Sequence, residues 1–207
     1  MQVSLRLFLP VAIALSSLLC PGASRSSVML AESAQSQASD DDLTVYGALI
    51  EYWHEEQFLD REKKLLVIVD QTSRGDYFDG NMNKTLQYVK KGLSGVSPEL
   101  LESYRARNKK EYTLGGRLPI KSDYIFVTPE DIRNSFRDKG WSSFYLRYPE
   151  AGGILGFSRV AYNRSGTEAL VFASCAKGGT NFFTCYYRLV KADGLWKVMG
   201  EVIMAIG

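Results

Sequence analysis

Two arginines set among aromatic residues are the most distinctive chemical feature of the C-terminal third of the chain. If the predicted strands there pair without bulges, Arg159 and Arg188 fall on one face of a sheet. Two guanidinium groups in an apolar pocket suit a carboxylate or phosphate ligand, because each can make bidentate hydrogen bonds. The sequence therefore predicts a candidate face for a small anionic ligand, formed by Arg159, Arg188, Tyr186, Phe172 and Trp196.

This face depends on strand register, and it has a structural alternative. The assumed pairing places Val160 opposite Ala169, Val171 opposite Leu189, and Lys191 opposite Leu195. It also brings Phe157, Leu170 and Val198 to the same face. A single bulge would separate the two arginines. In the alternative, the arginine stems cover aromatic rings while their heads reach water or pair with acidic side chains of the helices.

Two cysteines flank a short loop between predicted strands. If Cys175 and Cys185 lie opposite each other, the alternation also puts Ala173 and Tyr187 on one face, and the two patterns agree. The sequence therefore predicts a Cys175–Cys185 disulfide in an oxidising compartment. Closing so short a loop would contribute roughly 3 kcal/mol in the chain-entropy treatment. The alternative is a pair of free, buried thiols.

A catalytic or metal-binding set is not predicted. His54 is the only histidine, so a Ser–His or Cys–His pair and most zinc sites would have to use it. It lies beside Glu51, Glu55 and Glu56 on a predicted helix, a pattern typical of a solvated acidic face. No nucleophile–base pair, metal set or Gly-rich phosphate loop is recognisable, and no cofactor is predicted.

The elements that must position these residues divide into helices and then strands. Helical spacing or capping residues predict helices over 44–60, 82–93 and 98–108, from Pro129 and from Trp141, with a buried strand at Leu65–Val69. Strands separated by Asn- and Gly-bearing turns follow at Leu155–Tyr162, Glu168–Cys175, Thr184–Lys191 and Leu195–Ile206. The predicted fold is α+β, with N-terminal helices packed on a C-terminal four-stranded antiparallel β-meander.

The first 42 residues are predicted to precede the folded domain. Residues 1–23 are typical of a signal peptide, with Arg6 followed by the apolar run Leu7–Leu19. Residues 24–42 predict a flexible leader, and 43–207 a single domain. Cys20 would attach the chain to a membrane if it were lipidated, but Leu19 stands where a small residue is required. We therefore expect an exported protein, periplasmic or secreted, rather than a lipoprotein.

The charge of the chain bears on its partners. Lys and Arg number 25 against 23 Asp and Glu, giving a formal net charge of +2. A nucleic-acid-binding domain would carry a clustered basic stripe, so no nucleic-acid partner is predicted.

Several C-terminal segments together resemble a group of uncharacterised exported bacterial proteins. They are Trp141-x-x-Phe144-Tyr145-x-x-Tyr148-Pro149, Phe157-Ser158-Arg159-Val160-Ala161-Tyr162-Asn163, Ala169-Leu170-Val171-Phe172 and Gly194-x-Trp196-Lys197-Val198. The resemblance implies export and an α+β fold, and it carries no activity. Helices followed by a meander that ends in Gly-x-Trp-Lys-Val also resemble NTF2-like domains at the level of the fold, and such domains include both enzymes and binding proteins.

The predicted function is therefore a non-catalytic exported domain that binds a small molecule or a protein partner. An alternative is an NTF2-like enzyme that uses a carboxylate or tyrosine in a pocket, for which Glu168 and Glu201 are available. A purely structural or inhibitory interaction module is a third interpretation that the sequence leaves open.

Overall fold

The computed structural model describes residues 39–60 and 62–207. The predicted signal peptide, Cys20 and the leader up to residue 38 lie outside the described residues. Within the described ranges, no helix is long and apolar enough to cross a bilayer. In chain order, the elements are α1 (Asp40–Glu55), β1 (Leu65–Val69), α2 (Met82–Gly92), α3 (Pro98–Arg107), β2 (Asp123–Val127), α4 (Pro129–Ser135), α5 (Trp141–Arg147), β3 (Ala151–Phe157), β4 (Ala161–Tyr162), β5 (Glu168–Ala176), β6 (Phe182–Ala192) and β7 (Leu195–Ile206).

The strands form one mixed sheet of seven, in the order β2-β1-β3-β5-β6-β7, with the short β4 paired to β5. Strand β1 is parallel to both β2 and β3, whereas the pairs β3–β5, β5–β6 and β6–β7 are antiparallel. The predicted α+β class is confirmed, but the prediction of a four-stranded antiparallel meander is wrong. Parallel pairing joins segments that lie far apart in sequence, so no local turn pattern reveals it.

Capping residues begin α3 and α4 where the sequence predicts, whereas α1 begins at Asp40, inside the predicted leader and four residues before its predicted start, with Ser39 as its cap. The Ser97 side chain accepts a hydrogen bond from the Leu100 amide, and Pro98 occupies the first helical position of α3. Thr128 and Asp131 form a reciprocal capping box at the start of α4. These caps hold the helix ends whose backbone groups have no partner inside the helix.

Helices cover both faces of the sheet. On one face, α1 buries Tyr46 and Trp53 against Phe157 and Tyr187. On the other, α2 and α3 enclose a core that includes Leu86, Val89, Leu100, Tyr104, Leu170, Phe172 and Tyr186, while α4 and α5 pack over Val67 and Val127. The alternation of β1 between Leu66 and Val67 shows that the two cores lie on opposite sides.

Candidate functional site

The predicted ligand face is only partly formed, and it is covered. Phe172 lies opposite Tyr186, and Leu170 lies opposite Arg188, so these four side chains share a face as predicted. The pairing is offset by two residues from the assumed one, an error that leaves every side chain on its predicted face. Phe172 and Tyr186 are buried beneath α2 and α3. An open pocket at their rings is therefore absent from this face.

Trp196 does not belong to this face. It pairs with Lys191, because β7 is displaced by one residue from the assumed register, and a one-residue shift sends a side chain to the opposite face. Trp196 packs with Tyr162 in the core beneath α1. Phe157 also lies in that core, because it pairs with Ala173 at the end of β3. The prediction that Trp196 and Phe157 join the arginine face is wrong.

The two arginines lie near opposite ends of α3. Arg188 forms a two-point ion pair with Glu168, both contacts being 3.3 Å, and it lies beside Gly95 just before α3 begins. Arg159 stacks over the Tyr112 ring at 4.2 Å, and its amide donates to Asn108, the residue that ends α3. Ten helical residues span about 15 Å. The stacking of Arg159 on an aromatic ring follows the structural alternative, whereas the acidic partner of Arg188 belongs to β5 and not to a helix. The two arginines are engaged in separate contacts.

The cysteines do not lie opposite each other. Cys175 pairs with Phe183, and Cys185 pairs with Ala173, so the thiols sit on the same face but two positions apart. Both are free and buried. Burial raises the pKa of Cys175 to about 12 and that of Cys185 to about 11. Buried thiols of this kind are poor nucleophiles, because the thiolate is the reactive form.

A serine–histidine pair that the sequence did not reveal lies at the end of α1. Ser122 Oγ is 3.1 Å from His54 Nε2. A serine nucleophile also needs N–H donors aimed at the oxyanion of its intermediate. The amides of Glu56, Gln57 and Leu59, which follow His54, all donate to carbonyls of α1. The contact joins the segment before β2 to the end of α1.

An open groove of about 670 Å³ lies between α1 and β7. We call it the α1–β7 groove. Its helical wall consists of residues three and four positions apart, which lie on one side of a helix. That wall is Thr44, Gly47, Ala48, Glu51, Tyr52 and Glu55, and the strand wall is Gly194, Leu195, Trp196, Lys197 and Val198, with Pro119 between them. Sequence patterns do not find this groove, because it exists only once α1 packs beside β7.

The groove borders an open sheet edge. Strand β7 is twelve residues long and ends the sheet, and no described strand pairs with its outer side. Edge strands are ordinarily protected by charges, proline or short length. Strand β7 contains the exposed Lys197 and two shifts of register against β6. It also carries four of the seven exposed large hydrophobic side chains found in the described residues, namely Leu195, Met199, Ile203 and Ile206. Large exposed apolar patches are typical of interaction surfaces.

A carboxylate of unusual basicity lies near one end of the groove. Glu201 is opposite Tyr187 in the β6–β7 pairing, on the side that faces α1. Burial raises the pKa of Glu201, and the charge of Glu56 raises it further, whereas the nearby Tyr52 and Tyr187 hydroxyls lower it. Its Oε2 atom is buried and accepts no hydrogen bond from the described residues.

An unused donor lies in the strand wall. Trp196 is only 8% exposed, and its indole Nε1 has no hydrogen-bond acceptor in the described part of the chain. A buried N–H group without a partner costs roughly 1–3 kcal/mol, so such groups are rare unless a ligand or water completes them. No cluster of three or more His, Cys, Asp or Glu side chains among residues 39–60 and 62–207 could hold a metal ion.

Comparison with protein-family models, with curated proteins and with solved structures finds no significant match for this chain. The α1–β7 groove and the unpaired edge of β7 beside it are therefore the features from which a function is proposed.

Proposed function

We propose that this chain is an exported, non-catalytic domain that binds an extended segment of a partner protein as an additional strand on β7. In strand addition, the edge backbone supplies the hydrogen bonds and a neighbouring groove receives alternate side chains. The observation that carries the proposal is the coincidence of these two features. The unpaired edge of β7 and the α1–β7 groove share Leu195, Trp196, Lys197 and Val198.

Two further observations support this mode of binding. The exposed apolar side chains of β7 include Met199 and Ile203, beyond the groove, which a bound strand would cover. Trp196 also lines the groove, and its large apolar ring offers a contact surface for the side chains of a bound strand. A small anionic ligand is supported less well, because Arg188 is already paired with Glu168 and Arg159 with the Tyr112 ring.

The test is to select twelve-residue peptides from a random display library and to measure their affinity by calorimetry. Three variants decide the mode of binding. Met199→Pro blocks the edge backbone at a position next to a bulge, where proline is tolerated. Leu195→Gln removes an apolar side chain from the edge, and Leu146→Gln makes the same change at a 79% exposed position on α5.

We expect the two edge variants to lose binding and Leu146→Gln to retain it. We also expect amide hydrogen exchange to slow in β7 when a peptide binds. Selected peptides that bind Met199→Pro as tightly as the parent protein, or a selection that yields none, would refute strand addition.

A second candidate is an enzyme of the NTF2-like kind, with Glu201 as a general acid or base. The raised pKa of this half-buried carboxyl favours it, since catalytic acids are often tuned in this way. Turnover on a substrate panel that disappears in Glu201→Gln, while peptide binding is unchanged, would establish this function instead.

A further inference from the structure

The charge of the α1–β7 groove is asymmetric. Its lining contains two carboxylates, Glu51 and Glu55, and one cation, Lys197. Burial raises the pKa of Tyr52, which also lines the groove, and the charges of Glu201 and Glu56 raise it further. Two acidic side chains therefore line the groove and two more lie close to its Tyr52, whereas the wall has a single basic side chain.

These carboxylates form no direct ion pair within the described residues, although Lys197 lies in the same groove. By contrast, the acidic side chains of Glu99, Glu102, Asp131 and Glu168 each pair with an arginine. Burial raises the pKa of Glu201, and repulsion by the charge of Glu56 raises it further. A positively charged group from outside would relieve this repulsion, since opposite charges at about 4–6 Å favour the ionised carboxylate.

The spacing between Glu51 and Glu55 further defines the segment that would bind in the groove. Glu51 and Glu55 are four residues apart on α1, which places them one above the other at a separation of about 6 Å. In an extended chain, side chains two positions apart lie on the same face at a separation of about 6.6–6.8 Å. The groove follows α1 from Thr44 to Glu55 and β7 from Gly194 to Val198, so a strand added to β7 would run along it.

From these observations we infer that the bound segment carries a basic–x–basic pattern, with two Lys or Arg side chains over Glu51 and Glu55. This inference rests on the proposed strand addition and names the chemistry of its partner. The intervening residue faces the other side of the sheet. Aromatic Tyr52 lies in the wall between the two acids and can support a cation over its ring.

The test uses three synthetic twelve-residue peptides of alternating Val and Thr, whose central Thr-x-Thr is replaced by Lys-x-Lys, Gln-x-Gln or Glu-x-Glu. We expect the Lys-x-Lys peptide to bind about tenfold more tightly than the Gln-x-Gln peptide at low salt, from two partly exposed ion pairs. The Glu-x-Glu peptide should bind more weakly than both. The preference should shrink at high salt, where exposed charges are screened.

The variant Glu51→Gln/Glu55→Gln should abolish the preference for Lys-x-Lys while retaining the affinity for Gln-x-Gln. Its control is Glu130→Gln/Glu150→Gln, which removes the same charge from exposed positions outside the groove and should retain the preference. Equal binding of all three peptides, lost in Met199→Pro, would overturn the basic–x–basic pattern while strand addition stands. Binding of none of them, or binding that survives Met199→Pro, would overturn strand addition itself.

Discussion

The indole Nε1 of Trp53 donates a hydrogen bond of 3.0 Å to the hydroxyl oxygen of Tyr187, and this buried bond joins α1 to β6, the strand next to β7. The two rings also meet edge to face, with centroids 6.0 Å apart. Because α1 supplies one wall of the groove, this contact fixes the distance between the helical wall and the strands. The helical wall of the groove is consequently anchored to the buried core of the protein.

Replacing Tyr187 by phenylalanine should destabilise the protein by about 1–2 kcal/mol, because the buried Trp53 donor loses its acceptor. Urea unfolding followed by tryptophan fluorescence measures the change. Tyr88→Phe is the matched control, since Tyr88 is 44% exposed, and it should change the free energy of unfolding by less than about 0.5 kcal/mol. Equal effects of the two substitutions would contradict a role for the bond.

Alanine substitutions at two glycines would distinguish the cost of backbone strain from that of steric conflict. Gly75 and Gly80 both have positive φ, 71° and 68°. A Cβ at Gly80 would meet nothing within 4 Å, whereas one at Gly75 would lie 2.8 Å from the Tyr186 hydroxyl and would also strike that of Tyr104. Gly80→Ala should therefore cost about 1–2 kcal/mol from strain alone. Gly75→Ala should cost about 3 kcal/mol or more, because strain and overpacking add.

Thermal unfolding measured by circular dichroism would distinguish these glycine variants. A Gly75→Ala protein as stable as Gly80→Ala would show that the loop moves aside without cost. That result would also place the Tyr186 hydroxyl bond to the Gly75 carbonyl, 2.5 Å long, among the dispensable contacts.

Glu201 should make stability depend on pH. A raised pKa means that the folded protein binds this proton more tightly than the unfolded chain does, so the free energy of unfolding falls as pH rises above the ordinary glutamate range. Glu201→Gln should therefore be more stable than the parent protein near neutral pH. The difference should shrink as the pH falls below about 4, where the carboxyl becomes protonated in both states.

Melting temperatures measured across this pH range test the effect of Glu201. Glu130→Gln is the control, because Glu130 is exposed, and its melting temperature should follow that of the parent protein at every pH. A constant difference between Glu201→Gln and the parent across the range would assign the effect to packing instead of ionisation.

The cysteines should be chemically silent in the folded state. Cys175 and Cys185 are 1% and 3% exposed, and burial raises the pKa of each thiol to about 12 and about 11, respectively. In a Cys20→Ser chain, neither should react with iodoacetamide at mildly alkaline pH, and both should react after denaturation. Mass spectrometry counts the adducts. A loss of two hydrogens with no adduct after denaturation would instead establish the disulfide predicted from sequence.

Local features of the fold were predictable because their causes are local. Ser97 and Thr128 cap their helices through residues three positions away. The shared face of Phe172 and Tyr186 was also correct, since a register error of two residues preserves the side of the sheet. Trp196 was predicted on the wrong face, because a register error of one residue moves a side chain to the opposite side of the sheet. The irregular pairing between β6 and β7 near Arg188 and Leu189 has no signature in the sequence.

The candidate site was less predictable because its parts are distant in the chain. Glu51 was recognised as part of an acidic helix face, but nothing in the sequence shows that Trp196 stands opposite that face. Ser122 likewise meets His54 only through packing of the segment before β2 against α1. Contacts of this kind depend on the completed fold, so composition and periodicity do not predict them.

The position of β1 in the sheet constrains the order in which the chain can fold. Strands β5, β6 and β7 are joined by short turns, so their pairing closes small loops and can form early. Strand β1 must wait for β2 on one side and for β3 on the other, and Leu65 finds its partner Ala151 only after most of the chain has been synthesised. The N-terminal helices therefore have no completed sheet to pack on during synthesis, and we expect the native core to form late, after the C-terminal strands have been synthesised.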